Sequence, residues 1–260
     1  MMGLLNKGIT ILQFDDIYDQ QQKLYQFPHE TINLKKLLHV NLYCEEKSLA
    51  LIKSRLKQRK YKGITFLGNG NYHYVSYLLL QELTKPFSLV LFDNHPDLDI
   101  NHDAVMLSCG TWVSYALHNI PMLQKVVIIG PTTIKESIQS SELISIFPFN
   151  HCQDYSTKLI LSTIHTDDIY ISIDKDVLNH HDAETNWDQG MMDKATLLNY
   201  IKELIRGKTV HGLDICGEPS ISPLDYILPQ SQKMLHKNEA TNTEIIQTCL
   251  HDYPHHIIGA

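Results

Sequence analysis

The sequence predicts an α/β fold built on a parallel sheet, and three observations carry that prediction. Short β-branched runs alternate along the chain with longer segments of helical periodicity. Most of the short runs are apolar throughout, as strands covered by helices on both faces must be. The 260 residues contain no internal repeat, low-complexity tract or Gly/Ser-rich linker, so the chain 1–260 reads as a single domain. A domain of that size buries about 75% of the surface its unfolded chain exposes, enough for a sizeable core.

In chain order, strands are expected at Ile9–Phe14, Leu38–Leu42, Ile64–Leu67, Leu89–Asp93, Val126–Gly130, Ile169–Asp174 and Val210–Ile215. Helices are expected between them, at Glu46–Gln58, Tyr74–Leu83, Thr111–His118, Ser156–Ile164, Lys194–Arg206 and Glu239–Leu250. Asp193 is a ready N-cap for the fifth helix and Gly207 a ready stop. This spacing is that of a βαβ sheet, open or closed. Two long irregular stretches, 94–110 and 175–192, directly follow strands, where functional loops concentrate.

Composition removes several function classes. Hydrophobic residues at 43% and charged residues at 20% belong to a globular domain, which excludes a disordered or fibrous chain. Lys and Arg number 22 against 29 Asp and Glu, which leaves no basic surface for nucleic acid. No apolar run approaches the ~18 residues of a membrane span, and the first residues lack a signal-peptide layout. Five dispersed cysteines without a C-x-x-C pair suit a reducing cytoplasm better than a disulfide scaffold. What stands out is a chain of net charge −7 that carries 15 histidines. Histidine and aspartate together are donors for a hard or borderline metal.

Three segments concentrate those donors. Asp93, His95 and Asp97 are spaced two apart after the apolar run Ser88–Phe92, so in an extended chain they point to one side. Asp174 and Asp176 repeat that spacing after Ile171-Ser172-Ile173. A glycine-bearing turn after a third strand, Gly68 to Tyr72, delivers His73. Each segment alone reads equally as a turn or a helix cap. Together they gather four carboxylates and two imidazoles at the strand ends where open α/β sheets bind ligands. So many carboxylates cannot ionise side by side without cations. Two divalent ions about 3.5–4 Å apart resolve the conflict. An oxygen and nitrogen donor set without thiolate favours Mn²⁺.

The order Gly-rich turn–His, Asp-x-His-x-Asp, Ser-x-Asp-x-Asp resembles the ureohydrolases: arginase, agmatinase and formimidoylglutamase. The resemblance spans about 64–218. It implies a three-layer α/β/α sandwich with a largely parallel sheet and two Mn²⁺ ions. One ion would take His73, Asp93, Asp97 and Asp174; the other would take His95, Asp93, Asp174 and Asp176. It further implies cleavage of a guanidino C–N bond by activated water, with Asp97 as both ligand and proton acceptor. The deacetylase-like alternative, an amide or acyl hydrolase, usually keeps one zinc and fits six ligands less well. The non-enzymatic alternative is a metal-bound regulatory homologue.

Departures from the family pattern bear on the substrate. Leu107 to Trp112 carries no shuttle histidine, leaving His102 and His118 as substitutes. Cys109 reads as a packed thiol. Asp99–Ser108 lacks a match to the loop that grips a free amino acid, which points to an agmatine-like amine or an arginine side chain within an arginine-containing peptide, as in the peptide arginases. Assembly into a homo-oligomer is compatible with this reading. Trp187 and Asp188 suit a guanidinium by stacking and ion pairing, or else anchor a long loop. Glu218, one residue late in Gly212 to Pro219, is expected to bind the guanidinium through a β-bulge with Asp214 as support; otherwise it is a solvated carboxylate. The basic cluster Lys53–Lys60 reads as a solvated face, and the histidines of 251–256 have no catalytic role.

Overall fold

A computed structural model describes residues 2–99, 106–134, 141–150 and 155–251. Nine strands form one sheet: β1 (Gly3–Leu4), β2 (Ile9–Gln13), β3 (His29–Asn33), β4 (Ile64–Phe66), β5 (Phe87–Phe92), β6 (Leu123–Ile129), β7 (Ile144–Phe147), β8 (Asp168–Asp174) and β9 (Thr209–Cys216). Their order is β3-β2-β4-β9-β8-β5-β6-β7, with β1 beside the start of β9. Every pairing between these strands is parallel. The helices are α1 (Glu46–Leu56), α2 (Val75–Leu80), α3 (Trp112–Asn119), α4 (Thr157–Ser162), α5 (Lys194–Gly207) and α6 (Pro229–Leu250).

The sheet separates two cores, and the period of the strands explains why. In β5, Val90 and Phe92 face a cluster that includes Ile160 of α4, Leu197 of α5 and Ile245 of α6. Leu89 and Leu91 face the opposite cluster, with Ile52 of α1, Leu78 of α2 and Trp112 of α3. Both faces of the strand are covered, giving three layers.

Three expectations need correction. Leu38–Leu42 is not a strand: His39 and Leu42 hold φ of 54° and 67°, and Leu38 is 71% exposed. The edge strand is instead His29–Asn33, whose polar composition and solvent-facing side chains hide it from an apolarity search. The last helix begins at Pro229, ten residues before Glu239; the buried positions of that first stretch are Ser231, Leu235 and Asn238, only one of them apolar, so it carries no amphipathic signal.

The topology positions the site. The chain leaves β4, passes over two strand positions to lay down β5, and fills them later with β8 and β9. The carboxyl ends of β4, β9, β8 and β5 therefore lie side by side where the strand order reverses, which opens a crevice.

Candidate metal centre

Three of the strand ends deliver their polar side chains through one shared local device, an Asn or Asp side chain that accepts the N–H two residues further on. After β4, Asn69 caps the one-turn 3₁₀ helix Gly70–Tyr72 by accepting the Asn71 N–H, and His73 follows at once. Gly70 must be glycine here, because a Cβ would stand 2.9 Å from Asp174 Oδ2 and 2.7 Å from Trp187 Cδ1. After β5, Asp93 Oδ1 accepts the His95 N–H at 2.6 Å, and Asp97 adopts φ +52°. The extended chain expected over 93–97 is thus a turn, yet it still aims Asp97 at His73. After β8, Asp174 Oδ1 accepts the Asp176 N–H at 3.0 Å and caps the short helix Lys175–Val177.

The result is one cavity of about 170 Å³ whose walls include His73, Asp93, His95, Asp97, Asp174 and Asp176. His73 Nδ1 lies 3.2 Å from Asp97 Oδ2, 3.3 Å from Asp93 Oδ2 and 3.7 Å from Asp174 Oδ2. His95 Nδ1 lies 2.8 Å from Asp176 Oδ2 and 3.8 Å from Asp93 Oδ1. Donors sharing one ion through bonds of about 2.0–2.2 Å stand about 3–3.7 Å apart, so these separations suit two adjacent ions with Asp93 common to both. Asp93 Oδ2 is buried and has no hydrogen-bond partner among the described residues, which a cation would remedy.

Electrostatics describe the same conflict. Burial, reinforced by Asp176 and Asp97, raises the Asp93 carboxyl well above its usual range. Burial also raises Asp97, and it raises Asp174 to about 6 with help from Asp176. The hydrogen bond to Asp176 raises His95 to about 9. For His73, burial pulls downward and is outweighed by Cys216, Asp93 and Asp97, so its pKa rises. Carboxylates with raised folded pKa stabilise the fold below about pH 4 and lose that contribution as pH rises through about 6 for Asp174. His95 stabilises it below about 6.5 and loses that contribution towards 9. The metal-free protein is expected to melt at progressively lower temperature from pH 4 to pH 9. Divalent metal should flatten that profile, since binding needs deprotonated ligands. Thermal unfolding in chelator and in metal across this range checks both signs.

A second layer fixes the donors. Ser172 gives its hydroxyl proton to Asp214 Oδ1 at 2.7 Å, so His73 Nε2–H must donate to Ser172 Oγ, 2.9 Å away. That tautomer leaves the Nδ1 lone pair facing the cavity. Asp214 therefore supports His73, correcting its expected role beneath Glu218. Trp112 Nε1–H donates to Asp97 Oδ2 at 2.6 Å, and the Asn94 N–H donates to Asp176 Oδ1 at 3.0 Å. Trp112→Phe keeps the ring and removes the donor. It is expected to weaken metal affinity by about 10–100-fold, the usual effect of losing such a partner; equilibrium dialysis measures it.

Residues 7–218 match the model of the arginase family. The chain belongs to that family. A Thermotoga maritima protein described as uncharacterized is 30% identical over 252 residues, covering 97% of this chain and 93% of that one. The fold is similar to that of a hypothetical agmatinase from Burkholderia thailandensis, with TM-score 0.64 at 15% identity over 95% of this chain and 87% of that one. It is also similar to an arginase from Bacillus cereus, with TM-score 0.61 at 13% identity over 92% and 98%. As an arginase-family member, the chain is a metal-dependent hydrolase acting on amidino and guanidino groups.

The structure separates the remaining candidates of this family member. Trp187 lines the cavity; its ring meets His95 edge-on at 5.8 Å, and its Nε1–H donates to Asn71 Oδ1 at 2.9 Å. Asp188 is exposed and does not line the cavity; its carbonyl oxygen accepts from Asn94 Nδ2. His118 is exposed at the end of α3, away from the cavity, and His102 lies outside the described residues. So do the tail histidines at 255 and 256. Cys109 lines the cavity as a thiol, burial pushing it up to about 12.

Glu218 departs furthest from expectation. β9 runs in register with β8 to its end at Cys216, without a bulge there. Gly217 then turns at φ +86°, with room for no Cβ, since one would lie 2.5 Å from Asp174 Oδ1. Glu218 is thereby sent away from the cavity into a fully buried pocket, where it ion-pairs with Lys175. Gln21 and Asn238 donate to its Oε2 at 2.8 and 3.1 Å, and Asn242 donates to its Oε1 at 2.7 Å. A carboxylate so completely occupied is not a guanidinium receptor. Sequence reading missed Lys175 altogether, although a lysine between two candidate ligands was itself a signal that a buried counter-ion must exist.

Proposed function

We propose that the protein is a binuclear manganese hydrolase that cleaves a guanidino C–N bond. Its substrate would be an agmatine-like amine or the arginine side chain of a peptide, yielding urea and an amine or ornithine. The observation that carries this reading is the convergence of four aspartates and two histidines on one cavity, with Asp93 Oδ2 left unpartnered. Two such ions supply a nucleophile from water at neutral pH and offset charge that develops on the substrate. His73, Asp97, Asp93 and Asp174 would hold one ion, and His95, Asp176, Asp93 and Asp174 the other. Asp97, held by Trp112, takes the proton released from the attacking water.

Trp187 forms the aromatic wall against which a planar guanidinium stacks. A cavity of about 170 Å³ is smaller than the ~300–1,000 Å³ that encloses a drug-sized ligand, so the guanidino head enters and the rest of the substrate stays at the mouth. That arrangement suits a side chain presented from a larger molecule. Trp187→Ala is expected to raise KM about 2- to 30-fold, the equivalent of a cation–π contact of ~0.5–2 kcal/mol, with metal content unchanged. Steady-state kinetics with metal analysis checks both halves.

Urea release by the manganese-loaded protein from agmatine, free arginine and an arginine-containing peptide tests the proposal. Agmatine or the peptide should be turned over in preference to free arginine. Bound metal with no product from any of the three would overturn the substrate assignment.

A further inference from the structure

The six residues expected to bind metal contain no sulfur, but a sulfur stands beside one end of the cluster. Cys216 closes β9, two residues beyond Asp214 and so on the same face of the strand. It is fully buried, and its Sγ lies 3.1 Å from Asp174 Oδ2, to which the thiol donates. Donor atoms of His73, Asp174 and Cys216 all fall within 4.8 Å of one another, as do those of His73, Asp93 and Asp97. The orphaned, buried Asp93 Oδ2 stands 3.3 Å from Nδ1 of His73, the residue that the two groups share. At the other end, His95, Asp93 and Asp176 offer nitrogen and oxygen only.

The geometry points to two unequal metal positions: Cys216 Sγ is a direct ligand at the His73 position, which takes manganese when that ion alone is present but prefers a softer divalent ion such as zinc or cobalt when one is offered, while the His95 position prefers manganese. This inference rests on the binuclear reading above. Thiolate donors select softer ions, and a nitrogen–oxygen set does not. When the sulfur–metal bond forms, the thiol proton leaves to solvent. Asp174 Oδ2 loses the S–H hydrogen bond in the same event and turns its lone pair to the ion. The outcome is a mixed centre, with one soft and one hard position bridged by aspartates.

Reconstituting the metal-free full chain with cobalt tests this directly. Two bound Co²⁺ per chain are expected, with a near-ultraviolet sulfur-to-cobalt charge-transfer band equivalent to one thiolate. Cys216→Ser and Cys216→Ala should lose the band. Cys109→Ser, which removes the thiol that lines the cavity, should retain it. Two bound ions with no band in the unmutated protein would overturn the inference and leave the binuclear reading intact. A band that survives in Cys216→Ser and vanishes in Cys109→Ser would overturn it as well. Failure to bind cobalt at all would remove both. The unmutated protein decides the question even if the variants fold poorly.

Discussion

Replacing Asp93 with asparagine is expected to vacate both metal positions together and to lower hydrolysis at least about 10²-fold, beyond the 10–100-fold cost of losing a partner one layer further out. Asp93 is the one carboxylate grouped with donors at both ends of the cluster, His73 and Asp97 on one side and His95 and Asp176 on the other. The same substitution should raise the melting temperature of the metal-free protein. Its ionised form is opposed by burial and by Asp176 and Asp97, and a neutral amide of the same shape escapes all three. A more stable protein that no longer binds metal or turns over substrate is an outcome that simple misfolding does not produce. Metal analysis, thermal unfolding in chelator and a urea assay on one preparation check it.

Lys175→Met is expected to destabilise the protein by about 3–5 kcal/mol, because it strands a fully buried Glu218 without its counter-ion. At about 2–4 °C per kcal/mol for a domain approaching this size, the melting temperature should fall by roughly 6–20 °C. The double variant Lys175→Met with Glu218→Gln removes both charges and should recover much of that loss. Metal affinity should fall in the single variant too. Lys175 sits between Asp174 and Asp176, and the 3₁₀ turn that presents Asp176 is anchored through it. Thermal melts of the two singles and the double, read as a double-mutant cycle, measure the coupling. If Glu218 instead held substrate, its Gln variant would lose turnover at unchanged stability.

The candidate ligands were legible because their spacing is local. Asp-x-His-x-Asp and Asp-x-Asp follow apolar strands whose ends are recognisable, and parallel topology brings those ends together. The three-layer parallel fold was legible for the same reason, through Leu89–Asp93 and Ile169–Asp174. What was not legible is long-range. Gln21 lies 197 residues from the Glu218 it binds, and Asn242 lies 221 residues from Gln21. Ser231 and Asn238, buried but polar, also broke the amphipathic signal over the first ten residues of α6. The edge strand His29–Asn33 lacks an apolar pattern because none of its side chains is fully buried, and His29, Thr31 and Asn33 face solvent. Cys216 and Ser172 each lie within two residues of a recognised carboxylate, yet their roles come from side chains contributed by other elements, His73 among them.

The central claim is that two metal ions occupy one cavity and share Asp93. Its most direct test is an anomalous-difference map from crystals of the chain grown with manganese and collected at the manganese edge. Two peaks about 3.5–4 Å apart are expected, one beside His73 Nδ1 and one beside His95 Nδ1, with Asp93 between them. A single peak, or none within bonding distance of Asp93, would contradict the account.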